Sequence, residues 1–424
     1  MSSARRRTRR RSAGASRSPG IISMVASPTP HSGSSRNRRR PVLRPESAAE
    51  SAFRDEVRTW LEAELPAELR DLTFRPAPAA ALSWYRKLSA RGWIAPHWPR
   101  AFGGMEASPV QQLILMEEAA RIGAPELPTQ GLNQIGPILQ RFGSPEQKAQ
   151  HLQAILSGEV IWCQGYSEPG AGSDLASLRT RGRLEEDAVV ISGHKIWTTW
   201  GHHADWMYAL VRTDEDAPKR EGISFVLIDL TSPGITRRPI LTLADEREFS
   251  EIFLDEVHVP RANIVGRPGS GWTVATALLD QERVLIGSPS NALRALERLR
   301  RVVRALGEGL DADGRARLAE AETETEVLVA AYLQLVEDQG CGRPVDAATL
   351  KLLGSETTQF ILDVEQEICG AAAALKYPEV SGGEVIDFSE LFLQSRRLSI
   401  YGGSNEIQRG LVATRVLDLP KGRA

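Results

Sequence analysis

Hydrophobic residues recur at helical spacing, then in short β-branched runs, then at helical spacing again. In SAFRDEVRTWLEAEL the apolar residues Phe53, Val57, Trp60, Leu61 and Leu65 share one face of a 3.6-residue period. Residues 84–91, 110–123 and 145–156 read the same way. Ser144 followed by Pro145 supplies an N-cap and a proline at the first helical position. The runs AVVISGHKIWTT, DWMYALVRT, GISFVLIDL, GITRRPIL and FSEIFLDEVHVP follow, each bounded by Gly, Pro or Asp. With no helical stretch between them, they predict an antiparallel sheet or small barrel and exclude a βαβ repeat. Helical spacing returns over 273–285, 290–306, 315–339, 347–369 and 404–417, with a turn near Gly307, Gly309 and Gly314. The expected fold is α+β: an N-terminal helical domain (46–160), a middle antiparallel β-domain (161–268) and a C-terminal four-helix bundle (269–424).

Charge sets the first 45 residues apart. They hold twelve arginines and no acidic residue, whereas the 424-residue chain as a whole carries −2, which leaves −14 on the remainder. An acidic body is a poor nucleic-acid ligand. The head is rich in Arg, Ser and Pro without an apolar period, so disorder is expected. IISMVA is too short for the apolar core of an export signal. A transit peptide or basic binding tail is one reading of the head. A dispensable tail or an over-extended start, with Met24 as the alternative, is the other. No run of about 18 apolar residues predicts a membrane span.

Cys163, Cys341 and Cys369 have neither metal-ligand nor disulfide-framework spacing, which fits a reducing, cytoplasmic setting. The seven histidines show no metal spacing, and His202 and His203 read as loop residues. Walker A, HExxH and GxSxG patterns are absent. Gly266, Gly269 and Gly271 do not open a strand-to-helix dinucleotide turn.

Two stretches carry candidate chemistry. In WCQGYSEPGAGSDLASL, Pro169, Gly170 and Gly172 demand a tight, open backbone. Ser167, Ser173 and neighbouring N–H groups can then converge on an anion such as a pyrophosphate. An ordinary helix-to-sheet turn is the competing reading. In KIWTT, Trp197 ends a strand beside Thr198 and Thr199, where an indole can stack on a flat ring and hydroxyls can meet its edge. A tryptophan in a strand is also common core filling.

SEPGAGSD, KIWTT, LLDQERV and IYGGSNEIQRG, in that order across α–β–α domains, resemble the acyl-CoA dehydrogenase family over roughly residues 46–420. The likeness is to the bacterial branch that includes large subunits of pimeloyl- and steroid-side-chain-CoA enzymes. The resemblance implies FAD as cofactor, an acyl-CoA substrate and an electron-transfer flavoprotein as acceptor. Use of oxygen, as in acyl-CoA oxidases, is a variant of the same chemistry. By position it assigns Gln164, Ser167, Gly172, Ser173, Trp197, Thr198, Thr199, Ser404 and Glu406 to the flavin. Ser173, Asp280 and Arg283 fall on the substrate side.

Many members carry their catalytic carboxylate at the position that holds Gly402 here. Others place it just before an arginine on the first helix after the β-domain, where Glu282 precedes Arg283. Glu282 is therefore the expected base, and Gly402 is expected to leave room in the site. Asp280 and Glu282 are also read as lying early in a helix, where the dipole favours acids by about 0.3–1 kcal/mol. Glu406 is a weaker candidate for the base.

Two departures concern the neighbour-facing parts of the family's FAD site. The RxxFG motif is replaced within LERLRRVVRALGEG, and the QxxGGxG-type segment reads QEICGAAAALKYP. A homologous partner that supplies these parts, as in a heterotetramer, is the expectation, with a homo-oligomer as alternative. A catalytically silent auxiliary subunit is the competing function.

Overall fold

A computed structural model describes residues 46–72, 75–340, 347–375, 379–380, 384–385 and 388–420. The arginine-rich head and Cys341 lie outside the described residues. Residues from Glu46 onward form one compact unit.

Helix starts follow local chemistry. Helix α1 (Ala48–Glu64), α3 (Pro109–Arg121) and α5 (Pro145–Ser157) each begin with a serine that accepts the N3 amide. In each, a Glu or Gln side chain at N3 returns the bond to the cap. Helix α2 (Pro78–Arg91) lies between α1 and α3, and α4 (Gly136–Phe142) precedes α5. The π-turn at Gln130–Ile135 and α4 after it are not among the helices expected from the sequence.

Seven strands form the middle sheet: β1 (Trp162–Gly165), β2 (Arg181–Leu184), β3 (Ala188–Thr199), β4 (Trp206–Arg212), β5 (Ile223–Asp229), β6 (Ile235–Ile240) and β7 (Phe249–Pro260). The order is β1-β4-β2-β3-β7-β6, with β5 paired to β4. The pairs β2/β3, β3/β7, β4/β5 and β6/β7 are antiparallel, as expected. β1 instead lies parallel to β4, with Gln164 opposite Tyr208. One face packs Trp162, Tyr208 and Phe225 against Trp98, Leu132 and Ile135 of the helical domain and Leu278 beyond the sheet.

The C-terminal part holds α6 (Gly271–Ile286), α7 (Ser290–Leu306), α8 (Ala312–Gly340), α9 (Ala347–Cys369), α10 (Phe388–Ser395) and α11 (Asn405–Leu411). Helix α9 packs against α6, α7 and α8. It meets the end of α6 at a glycine pair. A Cβ on Gly354 would lie 2.8 Å from Gly287 Cα, so larger residues would push the helices apart. This close approach sets where the last turns of α6 sit. Among the described residues no helix is long and apolar enough to cross a membrane.

Candidate active site

A cleft of about 1650 Å³ runs between the helical domain, the sheet and the C-terminal helices. Gln164, Ser167, Gly172, Ser173, Trp197, Thr199, Asp280, Glu282, Arg283 and Gly402 all line it. The fold thus gathers residues from β1, the following loop, β3, α6 and the turn before α11.

The loop after β1 is pinned from beneath. Lys195 is fully buried, and its Nζ donates to Glu168 Oε1 at 2.8 Å. Glu168 also accepts the amides of Arg179 and Thr180 at 2.6 and 2.9 Å. Burial works against the Glu168 carboxylate, yet Lys195 and these donors hold its pKa below the ordinary value. Burial likewise lowers Lys195, to about 8, against the pull of Glu168. With its acid anchored inward, the loop turns Ser167, Gly172 and Ser173 to the cleft. A Cβ on Gly172 would meet nothing within 4 Å.

Trp197 sits on a β-bulge. Pairing with β7 shifts between Lys195 and Thr198, and Trp197 has φ +60°, a left-handed backbone rare for a bulky residue. The bulge aims the indole outward, leaving it 58% exposed beside the cleft. That is far from core filling, and a flat cofactor ring fits such a platform. Thr199 follows it into the cleft, whereas the Thr198 side chain is fully buried behind the sheet and does not line it.

Glu282 is 6% exposed, and its Oε2 accepts Gln164 Nε2 at 3.4 Å. Burial raises its pKa to about 7; Gln164, Arg283 and Lys351 pull the other way. The reading of Asp280 and Glu282 as early-helix acids is incorrect. Both lie in the last two turns of α6, where the negative end of the dipole disfavours a carboxylate. The dipole therefore offers no structural reason for Glu282. Arg283 pairs with Asp280, and its Nε is buried without a partner.

Gly402 stands over this acid. A Cβ built there would lie 3.9 Å from Glu282 Oε1 and 2.2 Å from Ile286 Cδ1. The room expected at Gly402 is thus filled by Ile286. The backbone there, at φ +65°, also favours glycine. Ser404 caps α11 through its hydroxyl, and Glu406 is exposed in the first turn; neither lines the cleft. Hydrogen bonds at its own helix start depress the Glu406 pKa, as suits a surface helix-start acid.

Sequence reading missed two groups. Tyr166 and Tyr208 are buried next to Gln164, and burial with the Glu282 charge nearby pushes both phenols well above their ordinary values. Tyr166 follows Gln164 by two residues, a usable signal, whereas Tyr208 meets Gln164 only through the β1/β4 pairing. The second group is ionic: Arg75, Glu126, Glu248, Arg294 and Arg397 pair at the cleft, and they come from distant segments. Among the described residues no His, Cys, Asp and Glu cluster is suited to a metal.

Residues 47–159 match the acyl-CoA dehydrogenase N-terminal domain, 163–257 the middle domain and 269–417 the C-terminal domain. The chain is 35% identical over 379 residues to "Acyl-CoA dehydrogenase IpdE1" of Mycobacterium tuberculosis, covering 87% of this chain and 97% of that protein. Among solved structures it resembles the "Tcur3481-Tcur3483 steroid ACAD", with TM-score 0.80, 32% identity, and 89% and 99% of the two chains covered. The "ChsE4-ChsE5 complex from Mycobacterium tuberculosis" follows, with TM-score 0.78, 29% identity, and 90% and 100% covered. Three consecutive matched domains, with the fold they share, show that this chain belongs to the acyl-CoA dehydrogenase family.

Proposed function

We propose that this chain is an FAD-dependent dehydrogenase that converts an acyl-CoA to its trans-2-enoyl-CoA, with Glu282 as the base. The observation that carries the reading is a buried carboxyl with a raised pKa, held by Gln164 in a cleft that also presents an exposed tryptophan. FAD would supply the hydride acceptor for the β-hydrogen of the substrate. Gln164, Ser167, Gly172, Ser173, Trp197 and Thr199 would hold it, with Thr198 contributing backbone only. Ser404 and Glu406, set at the start of α11 outside the cleft lining, are the weakest members of that set.

Glu282 takes the α-proton on its carboxylate. An α-C–H next to a thioester is a weak acid, so the base must be ionised and dry at the same time. Burial of Glu282 beside Gln164 limits water, and the Gln164 amide steadies the anion. Arg283 and Asp280 are assigned to the CoA side. An electron-transfer flavoprotein is the proposed electron acceptor.

The pH dependence follows from the raised acid. Glu282 must be deprotonated to act, so activity falls as pH drops through its folded pKa of about 7. In a pH profile, kcat/KM should decline about tenfold per pH unit below that point and level off above it. A flat profile from pH 5 to 8 would remove Glu282 from the role.

Ala372 and Cys369 stand where the family's neighbour-facing glycines are expected, and LERLRRVVRALGEG lacks the Phe-Gly pair. These departures favour a homologous partner subunit, the arrangement that the name of the ChsE4-ChsE5 complex describes for that protein. Purified alone, the chain should be flavin-poor. Co-purified with an adjacent homologue, it should be yellow and bleach anaerobically with acyl-CoA. A yellow, active homo-oligomer would refute the partner requirement; an FAD-loaded complex that no acyl-CoA bleaches would support the silent-subunit reading.

A further inference from the structure

A polar chain runs behind the base. Gln134, Gln164 and Tyr208 come together from three elements: the π-turn Gln130–Ile135, β1 and β4. Tyr208 is fully buried, and its hydroxyl donates to Gln134 Oε1. Gln164 stands opposite Tyr208 in the β1/β4 pairing, and its amide acts as a donor toward the phenol, working against the rise of that pKa. The same amide, through Nε2, donates to Glu282 Oε2 at 3.4 Å. The far end of the chain is rigid. Trp98 Nε1 donates to Leu132 O within the π-turn at 2.6 Å, and a Cβ on Gly136 would lie 2.1 Å from Trp98 Cζ2. Turns of this kind concentrate at functional sites. The Tyr166 ring lies 6.0 Å from that of Tyr208, but its hydroxyl has no partner and stands outside the chain.

Hydrogen count fixes the direction of the chain. A phenol has one hydrogen, and Tyr208 gives it to Gln134, so the phenol oxygen is left to accept. An amide nitrogen has two hydrogens, so Gln164 Nε2 can serve the phenol oxygen and Glu282 together. With the amide turned over, Gln164 Oε1 would face a carboxylate and a phenol oxygen, neither with a hydrogen to offer. The charged and titratable groups that act on Glu282 are Arg283 on its own helix, Lys351 on α9, and Tyr166 and Tyr208 from the β1 and β4 side. Both phenols stay neutral while Glu282 ionises, since their pKa values lie well above the ordinary one. Tyr208 therefore acts on the base by hydrogen bonding rather than by charge.

We propose that Tyr208 and Gln134 are positioning residues for the reaction: they lock the Gln164 amide with its hydrogens toward Glu282, and so set the pH at which the base becomes available. Their effect reaches the substrate through Gln164 and Glu282. Without the phenol oxygen the amide is free to turn, the anion loses its donor, and Glu282 keeps its proton to higher pH. The proposal rests on the dehydrogenase reading with Glu282 as base.

The test compares the flavin-loaded complex with its Tyr208→Phe, Gln134→Leu and Phe225→Leu variants. The pH profile of kcat/KM is read with whichever of butanoyl-, octanoyl- and hexadecanoyl-CoA the wild type turns over fastest. In Tyr208→Phe the acid limb should move up by about 0.5–1 pH unit, which lowers kcat/KM at pH 6 by about three- to tenfold and leaves the high-pH plateau within a few-fold. Gln134→Leu should move the limb in the same direction, because the phenol hydrogen must then turn to Gln164. Phe225, whose ring stacks on Tyr208 with centroids 5.8 Å apart, is the packing control. Its variant should melt lower with the limb in place. An unmoved limb in Tyr208→Phe, or an equal shift in Phe225→Leu, would overturn the proposal. Melting gives a second reading that needs no turnover. The difference in melting temperature between the protein and its Glu282→Gln form should grow with pH and level off near the folded pKa of Glu282. In the Tyr208→Phe background it should level off at higher pH, and levelling at the same pH would count against the chain. If none of the three thioesters bleaches the flavin or turns over, that result speaks against the dehydrogenase reading, and the melting series alone decides whether the chain holds Glu282.

Discussion

Glu282→Gln should lower kcat by about 10²- to 10⁴-fold, the range for loss of a positioned general base. Flavin content should stay that of the wild type. The amide keeps the size of the side chain and a carbonyl acceptor for Gln164 Nε2, so the wall of the cleft should persist. Stability should change in the opposite direction to activity. The folded pKa of Glu282 lies above the ordinary value, so the folded protein holds that proton more tightly than the unfolded chain. As pH rises from the unfolded value to about 7, the unfolded chain gives up this proton while the folded protein keeps it, so stability falls across that window. Removing it should therefore raise the melting temperature of the glutamine variant above that of the wild type at alkaline pH, with little difference in mild acid. Glu406→Gln, at an exposed helix start outside the cleft, should leave kcat within a few-fold. Full activity in Glu282→Gln would move the base elsewhere.

The second large effect concerns the loop after β1. Lys195→Met should destabilise the protein by about 3–5 kcal/mol, because it leaves the Glu168 carboxylate buried without its cation. The two remaining amide donors, from Arg179 and Thr180, do not neutralise the charge. The melting temperature should drop by several degrees, and flavin retention should drop with it. Replacing both residues, Lys195→Met with Glu168→Leu, should cost less than the sum of the single changes. A Lys195→Met variant with wild-type melting and flavin content would mean that the pair does not hold the loop.

Much of the fold was legible because its signals are local. Each Ser-capped start at Ser47, Ser108 and Ser144 is written within four residues, and the helical period of α7 and α9 lies wholly in their own sequences. Pairing partners were not legible. Nothing in WCQG tells β1 to run parallel to β4, since register is set by which faces are buried together. The error over Asp280 and Glu282 had a similar origin. An acid near a helix end reads alike at either terminus until the boundary is known, and the dipole then reverses its meaning.

By itself, the sequence determined the α–β–α order, the family, and the joint presence of Glu282 and absence of a carboxylate at Gly402. These are properties of residue types at short spacings. The tertiary structure alone decided that Gly402 lies against Ile286 and close to Glu282, and that a bulge turns Trp197 outward. It also brought Arg75, Glu126, Glu248, Arg294 and Arg397 to one end of the cleft. A cavity is what remains after helices and strands pack, and its lining depends on contacts such as Gly287 against Gly354 that no short stretch contains.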